Sequence, residues 1–370
     1  MEKKYVLRDY RVGDEEGLIR LLELVFSGWP HLDLPCSPLD HWKWKFEDNP
    51  QKNNVIPIAE SGDLIIGSNH SFPLTLKLFD EVYMGSQSTD LATHPDYRNM
   101  GVYRSISDFK TELYKKRNYA FSYAITSNPI VFDTAMKMGR NGFPHKISTL
   151  IRVKDVDLHL KMKQSEDALL KKFGAQFLIQ SGRLRNVVGS IFSSSSAETD
   201  FKMRDIKIFN EGFTSFWDDV KGSYDFIIER NIEYLNWRYC DPRGGNFTVK
   251  VAESEGKYLG FIVLRINRYN ASYPEGYIAD LLTVPERPDV ASKLIKEANS
   301  FFDESNVNII YYWVVNGHPY EDIMKREGFF DSRFVPYFIF QNVSIGSTWD
   351  GFQKIPPHRM HYQYGDSDWI

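Results

Sequence analysis

Cysteine is scarce in this chain. Its 370 residues include only Cys36 and Cys240, which lie far apart in the sequence. Two distant cysteines exclude a disulfide framework, and the lack of a Cys-x-x-Cys pair argues against structural zinc. A chain of this length buries enough apolar surface to fold without either. A reduced, cytoplasmic setting is the simplest interpretation.

Long apolar runs and a strong net charge are also missing. No window approaches the roughly 20 apolar residues that a membrane-spanning helix needs, so we expect no membrane span. The net charge of -4 does not mark the chain as nucleic-acid binding. His358 and His361 have no clear third ligand, so we expect no metal. Aromatic residues, by contrast, reach 15%, which indicates large flat contacts in a core or around a cleft.

The chain repeats itself once. Four segments of the first half resemble four segments of the second half in the same order, at an offset of about 190 residues. The segment around Trp44 resembles that around Trp237, and TDLATHPDYRNMG from Thr89 resembles ADLLTVPERPDVA from Ala279. This period is too long for a solenoid and predicts a duplicated domain. The recurrence of the tryptophans favours a place in the core over a surface that stacks on carbohydrate or peptide.

Hydrophobic periodicity predicts an α/β fold in both halves. Each half runs strand, helix, several strands, helix, strand, helix, strand, which is typical of a mixed, mostly antiparallel sheet flanked by helices. We predict a first domain at 1–153, a helical connector with a Ser-rich linker at 154–200, a second domain at 201–345 and an ordered tail at 346–370. The basic connector is interpreted as packed across the domain interface, with a membrane surface as the alternative.

One segment predicts a phosphate-binding site. Between Asp90 and Ile106 a strand leads through a turn into a helix that begins just after Gly101. Such a turn directs several backbone N–H groups towards one point at the positive end of the helix dipole, which suits a diphosphate. Arg98 and Arg104 add positive charge on either side. The alternative is an ordinary turn with solvated arginines.

The same segment resembles the acyl-CoA loop of the GNAT acetyltransferases. Their pattern is R/Q-x-x-G-x-G/A, and this chain has Arg98, Gly101 and Tyr103 at the defined positions, so Tyr103 replaces the usual small residue. The order of the surrounding elements is also similar. The resemblance covers roughly 3–152 and, more weakly, 205–342. It implies two tandem GNAT-like domains and acetyl-CoA, or another acyl-CoA, as co-substrate.

The resemblance also implies roles for individual residues. The backbone N–H groups of the loop would hold the pyrophosphate, the preceding strand would pair with the pantetheine arm, and an asparagine after the next strand would contact the cofactor. The cofactor-binding residues implied in this way are Leu91, Ala92, Thr93, Arg98, Asn99, Met100, Gly101, Val102, Tyr103, Arg104 and Asn128.

The second half departs from this pattern. At the equivalent position it has Pro285 and Pro288, which lack N–H donors, and no glycine follows. Glu286 and Asp289 place negative charge where a phosphate would lie. We therefore predict a degenerate second domain that does not bind CoA.

Transfer to an amine requires a base for the nucleophile and an acid for the leaving thiolate. The tyrosine that the family often carries on its last helix, a few residues before Gly-Phe, is absent, and Tyr103 or Tyr123 is a candidate substitute.

Candidate bases are Asp90 and Glu60, with His94 as the third. For Asp90 the alternative is a structural role, because Asp280 stands at the equivalent position of the second half, where we predict no CoA site. Some members of the superfamily use the carboxylate at the end of the chain, which here belongs to Ile370.

These observations predict an N-acetyltransferase that moves an acetyl group directly to a primary amine of a small molecule or amino sugar. Two alternatives stay open. One is a non-catalytic acyl-CoA sensor, favoured by the missing tyrosine. The other is a tandem GNAT-like aminoacyl transferase that uses charged tRNA, disfavoured because RNA would require a basic face. The sequence does not indicate the oligomeric state.

Overall fold

The computed structural model describes residues 5–163, 200–269 and 273–369. Most of the predicted connector at 154–200 lies outside these residues. The elements of the first half are β1 (Val6–Asp9), α1 (Glu15–Phe26), α2 (Pro38–Trp42), β2 (Pro57–Ser61), β3 (Leu64–Leu78), β4 (Glu81–Thr93), α3 (Val102–Lys116), β5 (Phe121–Thr126), α4 (Pro129–Lys137), β6 (Asn141–Gly142), β7 (Ile147–Val153) and α5 (Val156–Lys163).

The second half follows the same plan. Its elements are β8 (Lys202–Ile206), α6 (Gly212–Lys221), β9 (Phe226–Ile228), α7 (Ile232–Leu235), β10 (Phe247–Ser254), β11 (Lys257–Asn267), β12 (Glu275–Thr283), α8 (Pro288–Glu304), β13 (Ile309–Val315), α9 (Pro319–Arg326), β14 (Phe330–Asp331), β15 (Tyr337–Asn342) and α10 (Thr348–Phe352). A π-helical turn continues α2 at Lys43–Glu47 and α7 at Asn236–Cys240.

The described strands form two sheets. The first has the order β1-β2-β3-β4-β5-β15-β6, with β9 paired to β3, and the second has the order β14-β7-β13-β12-β11-β10-β8. Neighbours are antiparallel except for β4 with β5 and β12 with β13. The predicted architecture, mostly antiparallel sheets flanked by helices, is confirmed.

The sheets do not divide where the predicted domains divide. β7 belongs to 1–153 in sequence but pairs with β13 in the second sheet. β15 belongs to 201–345 but pairs with β5 in the first sheet. The two strands occupy equivalent places in the repeated order of elements. Each can therefore pair with the strand that precedes the other one in that order. The halves have exchanged their closing strands, which the repeat pattern alone does not reveal.

The first sheet is covered by helices on both faces. A Cβ on Gly17 of α1 would meet the side chain of Ile65, whereas Ile66 packs in one cluster with Val102 and Ile106 of α3. Successive side chains of a strand point to opposite faces. Helices α1 and α3 therefore lie on opposite faces of β3, and the predicted helix after Gly101 is confirmed.

A reciprocal tryptophan pair joins the two halves. Trp44 and Trp237 stack with ring centroids 4.9 Å apart and planes 17° from parallel. Each indole N–H donates to the backbone carbonyl of the other residue, at 2.9 Å in both directions. Both are buried within one core cluster that draws side chains from both sheets. The predicted core role of these repeated tryptophans is confirmed.

The Trp44→Phe variant tests how far this pair joins the halves. It keeps an aromatic ring but leaves the Trp237 carbonyl without its donor, so we expect a loss of about 1–3 kcal/mol in unfolding free energy. Trp237→Phe should have a similar effect, and the double variant should lose less than the sum because the two residues are in contact. Urea unfolding of the full chain measures all three.

Trp349→Phe, in a half-buried position on α10, is the matched control. It should change the unfolding free energy by less than Trp44→Phe or Trp237→Phe does. Strictly additive losses in the double variant would contradict the reciprocal contact.

Candidate functional site

A cavity opens where β4 and β5 separate. These parallel strands pair only from Gly85 to Gln87 and from Phe121 to Tyr123, while β4 continues to Thr93. The cavity measures about 400 Å³. Its lining comes from α1, β3, β4, α3, β5, α4, β15 and the C-terminal tail: Phe26, Asn69, Ser88, Thr89, Asp90, Leu91, Tyr103, Ser107, Lys110, Tyr114, Ser122, Tyr123, Ala124, Ile125, Thr126, Val131, Ala135, Arg140, Ile339, Gln341, Asp368 and Trp369.

The cavity passes through the first sheet. Phe26 of α1 lines it, and so do Tyr103 and Lys110 of α3. Because α1 and α3 cover opposite faces, the cavity reaches both faces of the sheet through the gap between β4 and β5. Its end at each face is called a mouth below. This geometry allows two ligands to approach the same point from opposite sides of the sheet.

The mouth on the α1 face is acidic, and Asp90 and Asp368 form this acidic end. The Lys45 ammonium lies between them, 2.8 Å from Asp90 Oδ2 and 3.3 Å from Asp368 Oδ2. Burial opposes the charged form of Lys45, but the two carboxylates outweigh it and raise its pKa. Burial likewise opposes ionisation of Asp90, yet the charge of Lys45 lowers the pKa of this carboxyl.

The mouth on the α3 face is positive, and Lys110 and Arg140 form this cationic end. Lys110 Nζ donates to three neutral acceptors, Asn69 Oδ1 at 2.7 Å, Ser88 Oγ at 2.8 Å and the His70 carbonyl at 3.0 Å. Burial lowers the pKa of Lys110 well below its ordinary value and also lowers the pKa of Arg140.

The predicted phosphate loop leads from β4 to α3. Gly101 precedes the helix with φ +76°, and Asn99 has φ +62°. Within the described residues no protein acceptor bonds the amides of 99–104, apart from any bonding inside α3, and residues 98–101 are exposed. The first N–H groups of a helix have no intrahelical partner. The loop therefore presents free donors at the positive end of a 15-residue helix.

The other predicted cofactor residues fall into two groups. Leu91 lines the cavity and Ala92 is buried beside it in β4, at the edge that β5 has left. Asn128 lies elsewhere: it does not line the cavity, and its side chain accepts the Ile130 amide at 2.9 Å to cap α4. Its cofactor contact stays a prediction, with a helix cap as its observed role.

The predicted bases are not brought together. Asp90 lines the cavity, but it is bonded to Lys45 and accepts the Trp29 indole N–H at 2.8 Å, which favours a structural role. Glu60 and His94 lie in a separate surface groove, where Glu60 accepts from Arg8 Nε at 2.8 Å. The Arg8 guanidinium lowers the pKa of Glu60. Ile370 lies outside the described residues, directly after Trp369.

Three tyrosines line the cavity, and two of their hydroxyl groups are engaged. Tyr123 donates to the Asp366 carbonyl at 2.6 Å, and Tyr114 bonds to serines that include Ser71 at 2.5 Å. No bond of the Tyr103 hydroxyl is observed within the described residues, and burial raises its pKa. Of the two predicted acids, Tyr103 therefore has the freer hydroxyl.

The second half lacks the free donors. Helix α8 begins with Pro288, which has no N–H, and the amides of Val290 and Ala291 donate to the Arg287 carbonyl at 3.1 and 3.4 Å. The Arg287 guanidinium bonds to the Asp289 carboxylate at 2.8 Å and holds the pKa of Asp289 below its usual value. The first turn of α8 therefore carries a carboxylate where α3 presents unbonded amides.

The C-terminal tail fills the second gap. β12 pairs with β13 only from Glu275 to Ile278, and beyond this point Gln363 accepts the Leu281 amide at 2.7 Å and donates to its carbonyl at 3.0 Å. Tyr364 stacks on Trp313 with centroids 4.0 Å apart. Leu281 is the repeat partner of Leu91. Of the predicted tail at 346–370, the residues up to 369 are described, and they form α10 followed by 3₁₀ turns at Pro357–Arg359 and Tyr364–Asp366.

Sequence reasoning missed Lys45, Lys110, Arg140 and Asp368. Two of them left a signal. Lys110 interrupts the apolar face of α3 between Ile106 and Leu113, where a lysine is out of place unless it has a polar partner. Lys45 recurs as the basic Arg238 in the repeat. No signal in the sequence distinguishes Arg140 or Asp368.

Comparison with known proteins shows what the first half is similar to. Residues 7–134 match the family model described as acetyltransferase (GNAT) domain. This match confirms the resemblance predicted from Arg98–Tyr103. The search of curated proteins finds no match.

Solved structures share the fold over most of the chain. A probable N-acyltransferase from Enterococcus faecalis has a TM-score of 0.63 at 12% identity, covering 93% of this chain and 74% of that one. Saccharomyces cerevisiae N-myristoyltransferase with bound myristoyl-CoA scores 0.60 at 11%, covering 92% and 81%. A GCN5-related N-acetyltransferase from Anabaena variabilis scores 0.60 at 10%, covering 92% and 73%.

No helix of the described residues is long and apolar enough to cross a membrane. The same residues contain no cluster of three or more His, Cys, Asp or Glu side chains placed to hold a metal ion.

Lys45→Met tests the acidic end. The variant leaves two carboxylates buried beside each other without their cation, so we expect a loss of about 3–5 kcal/mol in unfolding free energy at pH 7. Because the native pKa of Asp90 is depressed, the ion pair stabilises fully at neutral pH and is lost as pH falls through that pKa. The loss caused by the variant should therefore shrink below pH 5.

Lys43→Met, on the exposed side of the same π-helical turn, is the matched control and should change stability by at most about 0.5 kcal/mol. A loss for Lys45→Met that does not vary with pH would indicate a packing effect and contradict this account.

Proposed function

We propose that this protein is an acyl-CoA-dependent N-acyltransferase, with acetyl-CoA as the reference donor and a primary amine of a small molecule or amino sugar as the acceptor. The match to the GNAT domain and the shared fold support acyl transfer in general. That yeast N-myristoyltransferase binds myristoyl-CoA in the same fold supports an acyl-CoA as the donor.

One observation carries this proposal: the loop at 99–104, whose amides have no acceptor outside α3 among the described residues, begins the helix whose Tyr103, Ser107 and Lys110 line the cavity between β4 and β5. In our proposal the pyrophosphate binds these amides, with Arg98 and Arg104 adding charge. The pantetheine arm follows the β4 edge at Leu91–Thr93, as an added strand would. The thioester then lies in the gap, with its acyl group pointing into the cavity.

The acceptor enters by the opposite mouth. A protonated amine is attracted by Asp368 at the acidic end, and Phe26 and Trp369 provide apolar walls. Once neutral, the amine attacks the thioester carbonyl carbon, a C–N bond forms, and the C–S bond breaks. The amine proton leaves to a base and the CoA thiolate takes a proton from an acid. Most of the acceleration comes from placing both reactants in one gap.

Acid and base are assigned from the cavity lining. Tyr103 is the proposed acid. Asp368 is the proposed base because its side chain is 18% exposed, whereas that of Asp90 is 9% exposed. Both carboxylates accept hydrogen bonds: Asp90 from Lys45 and Trp29, and Asp368 from Lys45, Gln87 and Thr89. The carboxylate of Ile370 remains the alternative, since the preceding Trp369 lines the cavity. A C-terminal tag that leaves turnover unchanged argues against Ile370.

The second half has a different role in this proposal. Its equivalent amides at Val290 and Ala291 are bonded to the Arg287 carbonyl, and Gln363 bonds to the free edge of β12 at Leu281. We propose that it is a degenerate copy that binds no CoA and that anchors the tail. The domain division proposed above, 1–153 and 201–345, then describes the repeat in sequence, while the sheets exchange their last strands.

Gly101→Ala tests the loop. A non-glycine residue in this left-handed conformation is disfavoured by roughly 1–2 kcal/mol, so the loop should relax and acetyl-CoA affinity should fall at least about fivefold. No atom lies within 4 Å of the added Cβ, so the effect is conformational. Isothermal titration calorimetry with acetyl-CoA measures it.

Gly62→Ala is the matched control. Gly62 also has positive φ and open space around a Cβ, but it lies in the turn between β2 and β3. The Gly62→Ala variant should bind acetyl-CoA with the same affinity as the native chain. Native protein that binds no acetyl-CoA at millimolar concentration contradicts the proposal.

An amine panel with thiol detection then separates enzyme from sensor. Release of CoA thiol with any amine supports the transferase, and tight binding without turnover supports the acyl-CoA sensor that the missing family tyrosine favours.

A further inference from the structure

The cationic end of the cavity contains two basic side chains that have no carboxylate partner among the described residues. The Arg140 guanidinium hydrogen-bonds there only to the hydroxyl groups of Ser107 and Thr111, each at 3.4 Å, and Lys110 bonds only to neutral acceptors. Neither forms an ion pair within the described residues. By contrast, Lys45 has two carboxylates, and Arg230, a fully buried arginine of the second half, has Asp280 and Asp366. Arg265 is equally buried and bonds to the Asp33 carbonyl, but it does not line this cavity.

Unpaired charge is unfavourable in such a place. Lys110 is 4% exposed and Arg140 is half-buried. Transferring a charged group out of water without an opposite charge is disfavoured, and burial accordingly lowers both pKa values. Asp90, whose charge acts on Lys110, is already bonded to Lys45, and Asp108, whose charge acts on Arg140, is exposed on α3 and forms no ion pair with it. An anionic ligand would supply the missing partner.

The position of Lys110 along α3 places the cationic end away from the loop that is proposed to bind the phosphates. Lys110 lies eight residues after Val102, which is about 12 Å along the helix axis from its first turn. It bonds to Ser88 of β4 and Asn69 of β3, next to the irregularity in their pairing at Asp90. The cationic end is therefore at the level of the gap, beyond the proposed thioester.

We propose that the acyl group of the donor ends in a carboxylate, which binds Arg140 and lies within the field of Lys110. This inference rests on the proposed function and names the class of its donor: the CoA thioester of a short dicarboxylic acid. Arg140 Nε and Nη1 make no hydrogen bond to the described residues, and a guanidinium fork matches a carboxylate. A neutral acyl chain would leave the Arg140 guanidinium without a charged partner.

Succinyl-CoA and butyryl-CoA test the proposal, because both acyl groups have four carbons and only the first ends in a carboxylate. Calorimetry on the full chain should show succinyl-CoA binding at least about tenfold more tightly. Equal affinity, or preference for butyryl-CoA, overturns the inference and leaves the proposed function intact. If neither thioester nor free CoA binds, the proposed function fails as well.

Two variants locate the effect. Arg140→Gln should reduce the ratio of the two affinities to near one, and Arg140→Lys, which keeps the charge, should retain part of it. Arg104→Gln, on the exposed first turn of α3, is the control. It should lower the affinity for both thioesters by the same factor, so that the ratio of the two affinities does not change. If Arg140→Gln instead weakens free CoA and both thioesters equally, Arg140 binds a CoA phosphate and the inference is wrong.

Discussion

The early end of the pairing between β4 and β5 is the constraint on which the candidate site depends. Pairing stops after Gln87 and Tyr123, so the rest of β4 has a free backbone edge on that side. Gly85 makes even the short contact possible, because a Cβ there would lie 2.1 Å from the Phe121 ring. A strand edge without a partner is an attachment site for an extended ligand. The cavity, the loop at 99–104 and the two charged ends are all arranged around it.

Duplication gives the chain two gaps between parallel strands, one between β4 and β5 and one between β12 and β13. The C-terminal tail contacts the two gaps in different ways. In the second half Gln363 bonds to both the amide and the carbonyl of Leu281, as a ligand on a strand edge would. A few residues later Asp368 and Trp369 line the first gap without filling it. One continuous segment thus closes one site and forms a wall of the other. The second half then contributes to the site by anchoring this segment.

The sequence predicted those features that depend on local patterns. The spacing of Val102, Ile106 and Leu113 located α3, and Gly101 located its beginning, because helix periodicity and glycine conformation are local properties. The repeat of Trp44 and Trp237 predicted buried positions. It could not predict that each indole bonds to the other's carbonyl, because that contact joins residues 193 positions apart.

Other features depend on the tertiary arrangement and could not be predicted from the sequence. The exchange of β7 and β15 leaves no trace in their hydrophobic patterns, since the two strands are equivalent in the repeat. Glu60 was predicted beside the thioester because it lies on a strand, but Arg8 holds it in a different groove. Arg140 follows α4 in an ordinary turn, and only the fold places it against α3.

Hydrogen exchange on the full chain with and without acetyl-CoA tests the central claim most directly. The account predicts that saturating acetyl-CoA protects the amides of 99–104, together with the β4 edge, and leaves the amides around 286–290 unchanged. Protection at 286–290, or no protection at 99–104 when the ligand is bound, would contradict it.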